Sequence, residues 1–241
     1  MLLSVALYAL CAFKAKETVD NLPAESDTVT EEQPPLFPLR TKGGRTTFYL
    51  LSVLFIFLTA ALYYAVMNWI TSLLVDVYTL NQDISIYIST LAPVLITIGP
   101  VLTIRSCDKD RDFIREGWIY MLFALPLPLL LAFFYDSNAI LAFVMCALFV
   151  IITSGVKAIG VSVIAFKMRR TLNTAQFSAI ANASGSLAGG IAPTLVGMII
   201  DYKGWGTSYL AIFVASLLIT AGLIAIDFIF TRGSHKVGRA E

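Results

Sequence analysis

The chain has 241 residues, of which 58% are hydrophobic and 14% are charged, and its mean hydropathy is +0.80. Soluble globular proteins are about 45–50% apolar and about 25% charged, so this composition excludes an ordinary water-soluble domain. The net charge of +1 leaves no electrostatic footprint for binding nucleic acid.

The N-terminal apolar segment, residues 1–13, is shorter than the about 20 residues that a helix needs to cross a bilayer. It has no basic residue before its apolar run and no clear cleavage site, and Lys14 and Lys16 follow it, which is not typical of a signal peptide. We therefore predict a partial transmembrane helix whose beginning is missing. Residues 14–45 are acidic and proline-containing, which predicts a mobile linker.

Six long apolar runs follow, and they predict an all-α, polytopic bundle of six full transmembrane helices over residues 46–231. Asn68 marks a local break in the first run, and Pro126 and Pro128 predict a kink in the third. Residues 232–241 form a polar tail. The runs are Thr47–Val77, Ile84–Ile104, Trp118–Tyr135, Ala139–Phe166, Ala175–Ile200 and Ser208–Phe230.

Basic residues are concentrated in every second loop, as expected for a chain that crosses a membrane several times. Fifteen of the 17 lysine and arginine residues lie in the segments 14–45, 105–117, 167–174 and 231–241. The intervening loops hold Lys203 alone. Because cytoplasmic loops carry the excess of basic residues, we expect a multi-pass protein of the plasma membrane with its linker and C-terminus in the cytoplasm.

Lys157 lies inside the fourth run, nine residues before Phe166. At 1.5 Å per residue this depth is roughly 14 Å, near the centre of a hydrocarbon core about 30 Å thick. A lysine there costs about 2.5–3.5 kcal/mol unless it meets water, a ligand or a partner. One interpretation is that it attracts an anionic substrate group or takes part in ion coupling. The other is a structural pair with a carboxylate or helix end.

The first run supplies a second candidate for substrate binding, with Tyr63, Tyr64 and Asn68 near its middle. Tyr64 and Asn68 are four residues apart, so they share a helix face that can hydrogen-bond a ligand. Ser154, close to Lys157, joins this candidate set. The alternative for the tyrosines is an interfacial aromatic belt.

The fifth run repeats small residues every four positions, which is typical of a close helix-packing face. This face either packs statically or slides during a transport cycle, and ligand contact by its Asn182 is a further alternative. We assign packing or gating to Asn182, Gly185, Gly189, Pro193, Gly197 and Asp201.

The segment KMRRTLNTAQFSAIANASGSLAGGIAPTLVGMIIDYKGW, residues 167–205, resembles the tenth-to-eleventh loop and eleventh helix of the major facilitator superfamily. NWITSLLVDVY, residues 68–78, is faintly similar to the seventh-helix end of its organophosphate:anion antiporter-like members. The resemblance covers essentially the whole chain, as the end of helix six, the central linker and helices seven to twelve. It implies that helices seven and ten line a central cavity, that eight and eleven meet the N-terminal half, and that nine and twelve are peripheral.

The chain departs from that pattern at two places. Gly99 is followed by PVLTIRSCDKD, which lacks the loop motif of the superfamily, and the seventh-helix segment has no cationic residue. We therefore assign no phosphate-ester substrate. The first five helices are also missing from the resemblance, so we expect a truncated gene or a half that needs a partner chain.

These observations predict a secondary active, alternating-access carrier of a small solute, surrounded by the lipid bilayer. An anionic solute is one option that Lys157 suggests, and protons or a counter-ion are one option for the coupling partner. The alternative is a structural or ion-conducting membrane subunit that needs a partner chain. We expect no enzyme activity, no nucleic-acid partner and no cofactor. Cys11, Cys107 and Cys146 are far apart with no CxxC spacing, so we predict neither a disulfide framework nor a metal site.

Overall fold

The computed structural model describes residues 42–106, 113–164 and 173–237, and these residues form helices joined by short turns, without a strand among them. The partial helix predicted at residues 1–13 and the linker up to residue 41 lie outside the described residues. Five helical segments within the described ranges are long and apolar enough to cross a membrane, as in a multi-pass membrane protein. They are Thr46–Asp76, Ile114–Phe134, Ala139–Ser162, Thr174–Lys203 and Trp205–Phe228.

The first membrane segment is one helix with a local break. Helix α1 covers Lys42–Met67 and helix α2 covers Ile70–Asp76. The chain tightens at the junction, where the Trp69 amide donates to the carbonyl of Val66 at 3.1 Å. This confirms the break predicted at Asn68. The helix begins at Lys42, so residues 42–45, the last four of the predicted linker, are helical.

The second apolar run does not form one continuous helix. Helix α3, Gln82–Ile96, and helix α4, Ile98–Ser106, are separated at Thr97. Proline at position 100 has no N–H to donate to the Ile96 carbonyl. That carbonyl instead accepts a hydrogen bond from the Ser154 hydroxyl at 3.1 Å. The run Ile84–Ile104 is therefore absent from the five long segments.

Prolines also divide the third run, as the sequence predicts. Helix α5, Phe113–Ala124, ends one residue before helix α6, Pro126–Phe134, and Leu125 forms the junction. Pro126 stands at the first position of α6, where its missing N–H costs no intrahelical hydrogen bond.

Asparagine side chains cap the next two helices. Asn138 accepts hydrogen bonds from the amides of Ile140 and Leu141 at the start of helix α7, Ala139–Ala158. Asn173 accepts from the Gln176 amide at the start of helix α8, Thr174–Lys203. These bonds satisfy amides that have no partner within a helix.

Glycine sets the turn that separates the last two helices. Gly204 follows α8 with a φ of +82°, which glycine adopts without the steric cost of a side chain. Helix α9, Trp205–Val237, then runs to the end of the described chain. The tail predicted at residues 232–241 is thus helical through Val237.

Helix α7 lies at the centre of the bundle and packs against α1, α4, α5 and α6. Helix α8 packs along α1, and α9 packs against α5, α6 and α8. A large apolar core includes the fully buried side chains of Leu73, Met121 and Phe149. A smaller one surrounds Ile56, Ile159 and Phe177. The arrangement brings α1, α7 and α8 together, and these are the helices that carry most of the predicted site residues.

Candidate functional site

The ammonium group of Lys157 lies over two aromatic rings of the neighbouring helix α1. Its Nζ is 5.4 Å from the ring centroid of Tyr63 and 5.0 Å from that of Tyr64. The two rings meet edge to face, with centroids 4.6 Å apart. Such cation–π contacts contribute about 0.5–2 kcal/mol each, more where water is excluded. Two tyrosines that are distant in sequence from the lysine therefore partly compensate its charge.

Helix α8 approaches the same lysine through a glycine. A Cβ atom at Gly185 would lie 3.6 Å from Lys157 Cε and 3.8 Å from its Nζ. The half-buried lysine side chain thus lies between the tyrosine rings of α1 and the backbone of α8. Three helices contribute to the site, and a Cβ at position 185 would be in ordinary van der Waals contact with the lysine.

The polar groups at this site have different hydrogen-bonding from other hydroxyls of α1 and α7. The hydroxyls of Thr59 and Thr153 each donate to the carbonyl one turn earlier, at 2.8 Å. By contrast, the Lys157 ammonium and the hydroxyls of Tyr63 and Tyr64 have no hydrogen bond or ion pair with any described residue. The ammonium and the two phenol hydroxyls can all donate hydrogen bonds, and such donors are the groups that bind anions in proteins.

The backbone changes its hydrogen-bond pattern directly after the lysine. Residues Ile159–Val163 form a turn of π-helix that continues α7. Gly160 lies within this turn, and a Cβ there would come within 2.6 Å of Ile56 on α1. π-Helical turns are rare and frequently occur at functional sites. The sequence analysis did not predict this turn. Gly160 is the residue that could have indicated a close approach between α7 and α1.

Two of the predicted binding residues do not join the cluster. Asn68 is exposed at the junction between α1 and α2. Ser154 is 5% exposed and faces the junction between α3 and α4, where its hydroxyl lies 3.1 Å from the carbonyl oxygen of Ile96. The same hydroxyl lies 2.8 Å from the carbonyl oxygen of Ile151 in its own helix. The contact with Ile96 joins α7 to α3, and substrate binding by Asn68 and Ser154 stays a prediction.

Helix α8 packs along α1, and two of its glycines lie against aromatic side chains of α1 and of the junction between α1 and α2. A Cβ at Gly189 would be 3.1 Å from the Tyr64 ring, and one at Gly197 would be 2.5 Å from the Trp69 ring. The Trp69 indole N–H donates to the carbonyl of Pro193 at 2.9 Å. This face therefore packs within the chain.

The other two residues assigned to packing or gating, Asn182 and Asp201, are exposed. Among the described residues, no group of three or more His, Cys, Asp or Glu side chains is arranged to hold a metal ion. The cluster is thus built from one amine, two phenols and the glycines that allow three helices to approach.

No protein-family model matches the sequence, and a search of curated proteins finds no match either.

Proposed function

We propose that this chain carries a small anionic solute across a membrane, with Lys157 as the group that attracts the anion. The observation that carries the proposal is the position of the Lys157 ammonium, over two tyrosine rings and without a carboxylate partner among the described residues. It favours the ligand-binding interpretation of this lysine over a structural ion pair.

The free-energy cost of placing a charged lysine in an apolar helix supports this proposal. A lysine near the middle of an apolar helix costs about 2.5–3.5 kcal/mol on insertion scales. Cation–π contacts offset part of that cost but leave the net charge in place. An anion bound at Lys157, with the hydroxyls of Tyr63 and Tyr64 as further donors, would neutralise the charge and satisfy all three groups. In this proposal Lys157 is therefore the receptor for negative charge.

The transport mechanism that we propose is alternating access by a secondary active carrier with six spans in this chain. In this proposal helices α3 and α4 together form the second span, which is broken at Thr97. Discontinuous helices of this kind are common in transporters. The chain then corresponds to the C-terminal half of a major facilitator fold and works with an N-terminal half, in the plasma membrane and with its basic loops in the cytoplasm. The positive-inside distribution of the loops supports this orientation.

Binding to the purified chain in lipid nanodiscs tests the proposal directly. We expect inorganic phosphate, benzoate or succinate to raise the thermal unfolding temperature, while glucose does not. Lys157→Gln should abolish the shift, and Lys203→Gln, which changes an exposed lysine at the end of α8, should retain it. A shift that persists in Lys157→Gln would remove this residue from the site. The absence of any shift across the anion panel would contradict anion binding by the chain.

A further inference from the structure

Tyr64 is in contact with both the lysine of the proposed site and the glycine face of α8. Its ring centroid is 5.0 Å from Lys157 Nζ. On the other side, a Cβ atom built at Gly189 would lie 3.1, 3.2 and 3.3 Å from Cε2, Cδ2 and Cζ of the same ring. The ring therefore lies directly against the backbone of α8, and a side chain at position 189 would press against it.

The half-buried ring of Tyr64 is in contact with a second tyrosine as well as with α8. A methyl group at position 189 would displace it by a few tenths of an ångström. On the lysine side, Tyr63 is packed against it edge to face at 4.6 Å. Close-packed interiors transmit such small displacements to the next contact. The strength of a cation–π contact depends on where the cation lies over the ring, so a change at Gly189 should be felt at the Lys157 ammonium.

We propose that Gly189 is a positioning residue for the anion site, acting through Tyr64, so that the packing of α8 on α1 controls how firmly the Lys157 ammonium is held. The inference rests on the proposed function for the role of the anion, but the contact itself does not. Because such coupling is reciprocal, an anion that draws the ammonium off the rings also loosens the contact between α1 and α8 at this level.

The neighbouring glycine provides a matched control. Gly190 is next to Gly189 in the same helix, and a Cβ there would meet nothing within 4 Å. Alanine at either position makes the same chemical change to the helix, with the same gain in helix propensity. Only the substitution at position 189 reaches Tyr64, so a difference between the two variants reports on that ring.

The rate of reductive methylation of Lys157 measures how firmly its amine is held, without knowledge of the natural ligand. The purified chain in detergent is treated with formaldehyde and cyanoborohydride, and methylation is quantified at each lysine by mass spectrometry. The exposed Lys203 serves as internal control for reagent and folding. We expect Gly189→Ala and Tyr64→Ala to speed methylation of Lys157 by about two- to fivefold, which corresponds to the loss of one cation–π contact. Gly190→Ala should leave the rate unchanged.

A double-mutant cycle separates action through Tyr64 from general loosening of the helix. In the Tyr64→Ala background the methyl group of Gly189→Ala meets no ring, so the double variant should react at the rate of Tyr64→Ala alone. An equal factor for Gly189→Ala in both backgrounds would overturn the inference, as would an equal effect of Gly190→Ala. If Gly189→Ala alone does not fold, an unchanged Lys157 rate in Tyr64→Ala is sufficient to overturn it.

The same assay distinguishes failure of this inference from failure of the proposed function. Inorganic phosphate and benzoate should slow methylation of Lys157 in the unmodified chain and leave Lys203 unaffected. Without such protection the proposed function fails, and the dependence of the Lys157 rate on positions 64 and 189 still decides the positioning role. With protection but no effect of Gly189→Ala, only the positioning role is lost.

Discussion

The indole ring of Trp69 lies against Gly197 so closely that no side chain fits between them. A Cβ atom at position 197 would be 2.5 Å from Cζ2 and 3.0 Å from Cη2 of the ring. The same ring donates its N–H to the carbonyl oxygen of Pro193 at 2.9 Å, which ties the junction of α1 and α2 to the middle of α8. We therefore expect Gly197→Ala to destabilise the bundle by displacing Trp69.

The magnitude follows from three contributions. Overpacking a tight contact costs about 1–3 kcal/mol, and loss of the indole hydrogen bond costs about 0.5–1.5 kcal/mol. Alanine returns up to about 1 kcal/mol as helix propensity. The net loss for Gly197→Ala is thus about 0.5–4.5 kcal/mol. The control Gly190→Ala gains the propensity without any clash, because a Cβ there meets nothing within 4 Å.

Equilibrium unfolding in mixed detergent micelles, followed by circular dichroism, measures the free energy of unfolding of both variants. In a Trp69→Leu background, which removes the ring atoms that clash, Gly197→Ala should cost no stability. The reasoning is refuted if Gly197→Ala and Gly190→Ala agree within about 0.5 kcal/mol, the spread of ordinary surface substitutions. It is also refuted if the penalty survives in the Trp69→Leu background.

Two further outcomes follow from the centre of the bundle. In Gly99→Ala the new methyl group would collide with the backbone carbonyl oxygen of Ile151, which cannot move aside as a flexible side chain can. We therefore expect a loss of stability above about 3 kcal/mol and little folded protein by gel filtration in detergent. A normal yield of folded protein would contradict the close contact of α4 with α7. Cys146 is fully buried, with its sulfur 3.7 Å from the Tyr209 hydroxyl oxygen. With the other two cysteines replaced by serine, maleimide should label it about a hundredfold more slowly in the folded chain than in denaturant, and equal rates would show that the thiol is accessible.

Local chemistry allowed some features of the fold to be predicted from sequence, and long-range contacts decided others. The break at Asn68 and the interruption before Pro126 were both predicted, because proline and a polar residue in an apolar run act within one helical turn. The break at Thr97 was not predicted. It depends on Pro100 leaving the Ile96 carbonyl without its amide and on a donor from Ser154 of another helix, and no local pattern reports that pairing.

Some features of the candidate site were likewise predicted from the sequence, and others depended on long-range contacts. The sequence identified Lys157 as a costly charge in an apolar helix and identified the tyrosines of α1 as polar groups in another. It assigned Ser154 to the same site because this serine is close to Lys157 in the sequence. In the structure Ser154 faces the junction between α3 and α4, while Lys157 faces α1. Which side of a helix meets which neighbour depends on the packing of the whole bundle.

The sequence by itself determined that the chain is built from long apolar helices, where some of them break, and that one buried cation needs compensation, because hydrophobicity, proline and charge act through the residue type alone. The tertiary structure decided that Tyr63 and Tyr64 partly compensate it and that Gly189 of α8 lies against the ring of Tyr64. Those contacts join residues that are far apart in the chain, and they exist only when helices with complementary shapes approach each other closely.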